Sequence, residues 1–365
     1  MLSAAGVVAG FGPAVQGGGQ MVGTIGFLNE GGVELDSPSD EELDGRLYAD
    51  LSRLNTDHPF TPPGKFYIRT RASRILPNST PWTVKTAGLV ERELTLEATH
   101  LSSRAEALGS HLMECSGNNR ATRYGLLSVA NWSGVPLADL IDKAGPAKRS
   151  TRVVISGFDE YTKQSVNSVP GASWSFTLDE IASSKAFLAT HINDLPLSKD
   201  HGAPVRLVVP GWYGCACIKW VQSVTLADEN VESTSQMREF ASRTGQKGVP
   251  ELARDFLPAL IQIAAMPIRV EKWQTKGKVH YRVIGLSWGG SRRASSLFIR
   301  FNPEEDYVPV GHYRPANDDL WTIWTHDWSP TAPGKFLIRL MTKDHGLTQR
   351  LNSGFFVREV EIDDV

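Results

Sequence analysis

The stretch HLMECSGNNR (residues 111–120) places a cysteine between an acidic residue and a short glycine-containing turn, with an arginine at its end. The residues SGNN after Cys115 are typical of a turn, so the sulfur is expected at the end of a regular element, outside a core helix. Backbone N–H groups of such a turn and the nearby Arg120 favour the thiolate, which binds soft metals or attacks electrophiles. Cys115 is therefore predicted to be a metal ligand or a nucleophile, and the alternative is a small buried hydrophobic residue.

Composition indicates a globular protein with two domains. The 365 residues exceed what one hydrophobic core usually supports, and the chain is 41% hydrophobic and 21% charged. The formal net charge of −2 gives no global field that would favour nucleic acid or a membrane surface. No apolar run approaches the roughly 20 residues that span a bilayer. The three cysteines imply no disulfide framework, because they cannot all pair and Cys215 and Cys217 lie too close for an easy bridge.

Residues 1–38 are predicted to be the remnant of an export signal or a disordered tail. The opening residues MLSAAGVVAGFGPAVQGGGQ are apolar, rich in small residues and uncharged, like the hydrophobic and cleavage regions of a signal without its basic front end. If the start of the protein lies upstream, a twin-arginine signal and a periplasmic location are expected. A genuine start at Met1 implies the cytoplasm instead.

Residues 39–250 mix helix and strand patterns and form the first predicted domain. The segment LADLIDKAG (137–145) has apolar residues at helical spacing and a glycine stop, while TRVVIS (151–156) and VRLVVPG (205–211) have the pattern of buried strands. The polar stretch ADENVESTSQMREFASRTGQKGVPE (227–251) is predicted to be a loop or linker.

Residues 259–365 form the second predicted domain, an immunoglobulin-like β-sandwich. Runs such as HYRVIGLSWGG, SSLFIRFN, GKFLIRLMTKD and GFFVREVEI are short, β-rich and separated by Gly, Pro and Asn turns. Trp288, Trp321, Trp324 and Trp328 fit a sandwich core or interface better than a catalytic role. The predicted fold class is therefore α+β, with a mixed α/β domain followed by the sandwich.

Most common catalytic patterns fit Cys115 poorly. A nucleophilic cysteine needs a general base, and His111, His191 and His201 are possible partners, but none lies in a cysteine-hydrolase signature. The C-x-C of Cys215 and Cys217 has no second ligand pair at zinc-finger spacing, and there is neither a C-x-x-C-H haem motif nor a Gly-rich nucleotide loop. The remaining option is a thiolate bound to a metal that an organic cofactor mainly holds.

Several motifs together resemble the sulfite oxidase family of molybdopterin enzymes. HLMECSGNNR is followed by GLLSVANWSGVPLADLI and then by DHGAPVRLVVPGWYGCACIKW, while the C-terminal IGLSWGG, WTIWTHDW and APGKFLIRLMTKDHGLTQ are similar to the family's dimerisation domain. The resemblance covers roughly residues 55–365 in the family's order. It implies molybdenum bound by the pyranopterin dithiolene of one molybdopterin, by oxygen ligands and by one cysteine thiolate, which would be Cys115.

The same resemblance implies roles for further residues. Arg69 and Arg120 match the arginines of the family's anion pocket, so with Cys115 they form the predicted catalytic set. The implied cofactor contacts come from the segments FYIRTR, GFDEY, DHGAPVR and CIKW: Tyr67, Ile68, Arg69, Thr70, Arg71, Cys115, Asp159, His201, Arg206, Cys217, Ile218 and Lys219. Each has a simpler interpretation, such as packing for Cys217 or an edge-strand charge for Arg206.

Three departures from the family put the substrate in question. Phe240 in REF stands where relatives that oxidise sulfite efficiently carry an active-site tyrosine. Thr70 and Arg71 replace the usual Asn-His pair, and no counterpart was found for the arginine that the family's C-terminal domain contributes to the pocket.

The resemblance implies oxidation of sulfite to sulfate, with electrons leaving to a separate acceptor such as a c-type cytochrome, because no haem domain is fused to this chain. The C-terminal domain implies a homodimer. Three alternatives remain open: a subunit similar to a sulfane dehydrogenase, a reductase of sulfoxides or similar groups, and a metal-free binding protein of the same fold.

Overall fold

The computed structural model describes residues 19–78, 81–290, 292–315, 320–344, 350 and 355–365. Its strands, in chain order, are β1 Gln20–Ile25, β2 Thr83–Gly88, β3 Leu94–Glu97, β4 Glu106–Glu114, β5 Leu127–Pro136, β6 Arg152–Gly157, β7 Ser173–Thr177, β8 Phe187–Ile192, β9 Leu195–Pro196, β10 Arg206–Val208, β11 Val221–Ala227, β12 Ala264–Thr275, β13 Lys278–Trp288, β14 Phe298–Arg300, β15 Val308–Pro309, β16 Thr322–Trp328, β17 Gly334–Met341 and β18 Val357–Ile362. Its α-helices are α1 Ala98–Ser103, α2 Leu137–Ala144, α3 Leu178–Ser184 and α4 Ser235–Glu239. None of the helices in these ranges is long and apolar enough to cross a membrane.

Two five-stranded sheets build the first half of the chain. One is antiparallel, with the order β10-β8-β5-β4 and β9 beside β8. The other has the order β3-β2-β11-β6-β7, in which only β11 and β2 run parallel. Buried aromatic side chains of both sheets, such as Trp132 and Phe176, belong to one apolar core. The loops at the ends of these strands carry most of the predicted site residues.

The helix and strands predicted in this half are confirmed. Helix α2 buries its apolar positions Leu137, Leu140 and Ile141 on one face, and Gly145 ends it with a φ of 70°, the left-handed region that glycine adopts most easily. Strand β6 covers residues 152–156 of TRVVIS, and β10 covers the three residues Arg206–Val208 within VRLVVPG.

Two four-stranded antiparallel sheets, β1-β12-β13-β16 and β15-β14-β17-β18, form the sandwich in the second half. Trp288, Trp321 and Trp324 are buried, and the Trp328 ring stacks on Phe301 with centroids 4.1 Å apart. With a mixed α/β half followed by this sandwich, the predicted α+β class is confirmed.

The segment after residue 18 differs from the predicted tail. Strand β1 pairs with β12 at the edge of the sandwich. Arg358 holds the following loop, since its Nε donates to Glu30 at 2.6 Å and its guanidinium lies 3.8 Å from the Phe27 ring centroid. The partner of β1 lies about 250 residues away, so no local sequence pattern indicates the pairing. The composition of residues 1–38 alone therefore predicted a tail where the structure has a strand. The predicted signal remnant in residues 1–18 lies outside the described residues.

The predicted linker at residues 227–251 is wrong for its middle part, which forms α4 and a 3-10 turn, Ala241–Arg243. The Thr234 hydroxyl accepts a hydrogen bond from the Met237 N–H at 3.2 Å, which caps the helix. Met237 is fully buried and anchors the segment. This capped turn is shorter than the window over which helical periodicity can be read.

Candidate active site

A cavity of about 840 Å³, counted to its open mouth, lies among the loops that join the two sheets of the first half. It brings together residues that are far apart in the sequence. Among those predicted from the motifs, its walls contain Tyr67, Arg69, Thr70, Cys115, His201, Arg206, Cys217, Ile218 and Lys219.

Cys115 follows the last residue of β4 and begins the turn that the sequence predicted. Its N–H donates to the Leu126 carbonyl at 3.0 Å, and its own carbonyl accepts from the Asn118 N–H at 2.9 Å. The Gly117 N–H points to the Cys115 Sγ at 3.4 Å. Cys115 is 3% exposed and lines the cavity. These hydrogen bonds therefore hold a buried thiol at the cavity wall.

The residue before Cys115 ties this loop to the sandwich. Glu114 is fully buried, and its carboxylate pairs with the Arg350 guanidinium and accepts from the Trp288 Nε1–H at 2.9 Å. The Arg350 Nη2 also donates to the Ser116 carbonyl at 3.3 Å. Burial lowers the pKa of Arg350, but the Glu114 carboxylate outweighs this and raises the pKa overall. Two groups of the second half therefore hold the base of the cysteine loop.

Arg206 is a buried cation without a carboxylate partner among the described residues. It is 4% exposed, donates to the carbonyls of His201 at 3.1 Å and Cys217 at 3.4 Å, and lies 5.4 Å from the Trp132 ring centroid. Its Nε has no hydrogen-bond partner within the described part of the chain. Burial lowers the pKa of Arg206 because no anion compensates for the lost water. The guanidinium therefore needs an anion from outside the chain.

Lys219 adds a second positive charge to the same wall. Its ammonium group donates to the carbonyl oxygens of Thr70 and, at 2.8 Å, Asp200, and lies 4.6 Å from the Trp220 ring. Burial and the charge of Arg206 hold the pKa of Lys219 well below its usual value. In the described part of the chain, neither cation has a carboxylate within ion-pair distance.

His201 is a neutral imidazole in the cavity wall, and both of its ring nitrogens form hydrogen bonds. Its Nε2 donates to the Phe66 carbonyl at 2.9 Å, because a carbonyl can only accept, so Nδ1 accepts from the Ser198 hydroxyl at 2.8 Å. Burial lowers the pKa of His201 to about 4. The ring therefore adds no further charge to a cavity that already holds unpaired cations.

Arg69 lies in the cavity wall as predicted, and its Nη2 donates to the Ser168 hydroxyl at 2.6 Å. Burial, with the charge of Arg69 nearby, lowers the pKa of Arg46 to about 10. Glu239 also lies in the wall. Burial raises the pKa of its carboxyl group, although the positive charges of Arg69 and Arg243 act in the opposite direction.

Four predicted residues lie outside the cavity wall: Ile68, Arg71, Arg120 and Asp159. Ile68 is buried and pairs through its backbone with Leu47. The Arg71 Nε donates to the Asp200 carboxylate at 3.1 Å.

Asp159 and Arg120 lie close to the cavity without lining it. Backbone N–H groups of Gly171 and Ala172 bond the Asp159 carboxylate, yet burial raises its pKa to about 6. Arg120 is half-buried beside the cysteine loop and hydrogen-bonds Tyr124, while its Nε has no partner.

The structure also shows site residues that the sequence did not predict. Tyr161, Gln236 and Glu239 line the cavity, and Phe240, singled out only as a departure, lines it as well. Cys215 also lines the wall. Its sulfur accepts a long hydrogen bond from the Ser116 hydroxyl at 3.8 Å, and burial raises the pKa of its thiol. The capping Thr234 before α4 was the one local signal for this group.

Comparison with known proteins gives three similarities. Residues 73–235 match the family model described as an oxidoreductase molybdopterin binding domain. The mitochondrial sulfite oxidases of Rattus norvegicus and Homo sapiens are 26% and 27% identical over 295 and 300 residues, which covers 74% of this chain and 53% of each relative. The NADPH nitrate reductase of Beauveria bassiana is 24% identical over 264 residues, 65% of this chain and 29% of that protein. The chain thus spans about half the length of the sulfite oxidases it matches.

One solved structure shares the whole architecture. The sulfane dehydrogenase SoxCD from Paracoccus pantotrophus superposes with a TM-score of 0.67 at 17% identity, covering 98% of this chain and 96% of the other. At this identity the likeness shows the fold alone.

Proposed function

Because the chain belongs to the sulfite oxidase family of molybdopterin-dependent oxidoreductases, we propose that it oxidises a small sulfur oxyanion, with sulfite as the first substrate to test. The reaction converts sulfite and water into sulfate, two protons and two electrons. Removing two electrons from sulfur while adding one oxygen atom is the chemistry that a molybdenum centre on a pterin dithiolene supplies when bound.

One observation carries the proposal: the Cys115 sulfur shares its cavity with cations that have no carboxylate partner among the described residues. The unpartnered Nε of buried Arg206 and the partly buried Lys219 ammonium both call for an anion. An organic cofactor with a phosphate group meets that demand, and a cysteine thiolate suits a soft, sulfur-rich metal centre.

The residues therefore fit the group. Cys115 would supply the one protein ligand to the metal, and no three His, Cys, Asp or Glu side chains converge on a metal site in the described ranges. A metal held mostly by its own dithiolene needs no such cluster. Arg206 and Lys219 would hold the phosphate and pterin polar atoms, while His201, whose two ring nitrogens bond Phe66 and Ser198, would contribute a neutral wall beside them.

The chain's remaining task is to bind and orient a dianion. Arg69 lies in the wall with its guanidinium fixed by Ser168, and Arg120 lies beside the cysteine loop. Guanidinium groups stay charged and match oxyanions in a bidentate geometry. Phe240 gives no hydroxyl, but Tyr161 lines the same cavity, so a phenol is present there.

A second candidate substrate class is a sulfane sulfur, because the solved structure that shares this fold over 98% of the chain is named a sulfane dehydrogenase. Turnover of thiosulfate or a persulfide without sulfite turnover would favour this second function.

We also propose a c-type cytochrome as the electron acceptor, a homodimer formed through the sandwich, and a periplasmic location by twin-arginine export. Analytical ultracentrifugation tests the dimer. Cell fractionation and reduction of cytochrome c in place of ferricyanide test the other two.

The proposed function is tested first by metal analysis of protein from a molybdopterin-competent host, followed by sulfite-dependent ferricyanide reduction. We expect near-stoichiometric molybdenum and turnover in the wild type, and loss of turnover in Cys115→Ser. Cys215→Ser is the matched control, because this thiol also lines the cavity and is buried. Soluble, folded wild type without molybdenum would overturn the cofactor assignment, and metal without sulfite turnover would overturn the substrate.

A further inference from the structure

A second, open pocket lies beside the main cavity and shares the cysteine loop with it. About 720 Å³ of space, counted to the solvent, is bounded by residues 116–121 and by Arg243. Arg243 comes from the 3-10 turn after α4, the segment whose sequence predicted a linker. Nothing in the motifs assigns this arginine a role.

Gly117 marks the point where the pocket reaches the cysteine sulfur. A Cβ placed on Gly117 would lie 3.7 Å from the Cys115 Sγ and 3.5 Å from the Arg243 Nη1. Both are ordinary van der Waals separations. The sulfur and the guanidinium therefore border the same space over Gly117, where the missing side chain leaves room for a ligand to approach both.

The charges around this point favour an anion. Arg243 is exposed and has no ion pair among the described residues, while Glu239, which it influences, is also under the influence of Arg69. The Nε of Arg120, which lines the same pocket, is buried and has no hydrogen-bond partner among the residues that the structure describes. Two guanidinium groups thus flank one small space whose floor is glycine.

Phe240 fixes the position of Arg243. The Arg243 guanidinium lies 5.3 Å from the Phe240 ring centroid, within cation–π range, and this ring also lines the main cavity. A phenyl ring at this position supports the arginine in place of offering a hydroxyl to a substrate.

We propose that Arg243 is a substrate-binding residue that, with Arg120, holds a small sulfur oxyanion over Gly117, next to the Cys115 sulfur. This assignment rests on the proposed function for the identity of the anion. It also explains why a phenylalanine can stand at position 240, where relatives that oxidise sulfite efficiently carry a tyrosine. The Arg243 guanidinium, which packs on the Phe240 ring, contacts the substrate in place of the tyrosine hydroxyl.

Sulfate binding to the full chain, measured by isothermal titration calorimetry, tests the assignment without turnover. Charged hydrogen bonds contribute about 1.5–3 kcal/mol, so Arg243→Gln should weaken sulfate binding about 10- to 100-fold. Arg243→Lys should restore part of the affinity. Arg149→Gln, on an exposed arginine of the first half, is the charge-matched control and should bind as the wild type does.

Gly117→Ala is the second variant, because its methyl group would project into the space between the Cys115 sulfur and the Arg243 guanidinium. The φ of Gly117 lies outside the left-handed region and its neighbours leave room, so the fold should accept alanine. Sulfate binding should be lost. Gly64→Ala, which meets no atom within 4 Å, is the control.

Sulfite kinetics separate this inference from the proposed function. If the protein turns over sulfite, Arg243→Gln should raise KM by a similar factor with a smaller change in kcat. Sulfate binding that depends on Arg243 in a protein without sulfite turnover would retain the anion site and overturn the reaction. Unchanged sulfate affinity and unchanged KM in Arg243→Gln, or no sulfate binding by the wild type, would overturn the assignment of Arg243.

Discussion

Replacing Arg350 by methionine should destabilise the protein strongly through Glu114. The Glu114 carboxylate is fully buried, and Arg350 is its one cationic partner among the described residues. Without Arg350, the donors left to it among the described residues are the Trp288 Nε1–H at 2.9 Å and the Asn118 side-chain amide at 3.2 Å. Breaking a buried ion pair from one side costs about 3–5 kcal/mol, because the remaining charge stays desolvated.

The magnitude follows from the charge left behind, so a double-mutant cycle isolates it. Glu114→Gln alone leaves Arg350 buried and unpaired and should cost a comparable amount. The double variant Glu114→Gln/Arg350→Met removes both charges and keeps an amide for Trp288. We expect it to be more stable than the two single effects predict, by about 2–3 kcal/mol, within the range seen for contacting residues.

Urea denaturation, followed by circular dichroism and tryptophan fluorescence, measures these changes. Lys85→Met is the matched control, because the Lys85–Glu93 pair has side chains that are 53% and 59% exposed. Such a pair should contribute less than about 1 kcal/mol. A loss below about 1 kcal/mol in Arg350→Met, or additive effects in the cycle, would refute the argument that this pair anchors the cysteine loop.

Three further predictions concern the same core and the sandwich. Arg206→Met should leave the cofactor-free protein as stable as the wild type or more so, since it removes a buried charge with no counter-ion, yet it should lower molybdenum content measured by elemental analysis. Burial lowers the pKa of His201 to about 4 in the folded protein from the 6.5 of a histidine in the unfolded chain, so the unfolded chain binds the extra proton and the unfolding free energy should fall by about 3 kcal/mol as pH drops from 6.5 to 4. Denaturation of His201→Asn at both pH values should lack that part of the loss. Gly285→Ala should destabilise by about 1–3 kcal/mol, because the added Cβ would overlap the buried Trp324 indole, and thermal unfolding reports it.

The sequence predicted the parts of the site that are written in contiguous segments. The turn after Cys115 follows from SGNN, and DHGAPVR and CIKW placed His201, Arg206 and Lys219 in one cavity. Each of these segments ends or begins a strand, so its side chains converge once the sheets form. The position of each of these site residues therefore follows from the strand end at which its motif lies.

The rest of the site depends on contacts that no local pattern carries. In the sequence, Glu114 is an ordinary charged residue before a cysteine. Its buried role becomes visible only in the structure, where Arg350 and Trp288 from the other half of the chain contact its carboxylate. Arg71, which sits within a motif, turns away to pair with Asp200. Local charge and periodicity cannot distinguish a side chain that faces a cavity from one that satisfies a neighbouring carboxylate.

These contacts change the role of the sandwich. A module that served only to join two subunits would need no buried polar contact with the Cys115 loop. Here Trp288 ends strand β13 and donates to the carboxylate immediately before Cys115, while Arg350 donates to that carboxylate and to the Ser116 carbonyl just after it. The loop is thus held on both sides of its sulfur by the second half of the chain. Since a buried carboxylate requires those partners, the geometry of the Cys115 loop and the packing of the sandwich are coupled, and the sandwich is part of the scaffold of the candidate site.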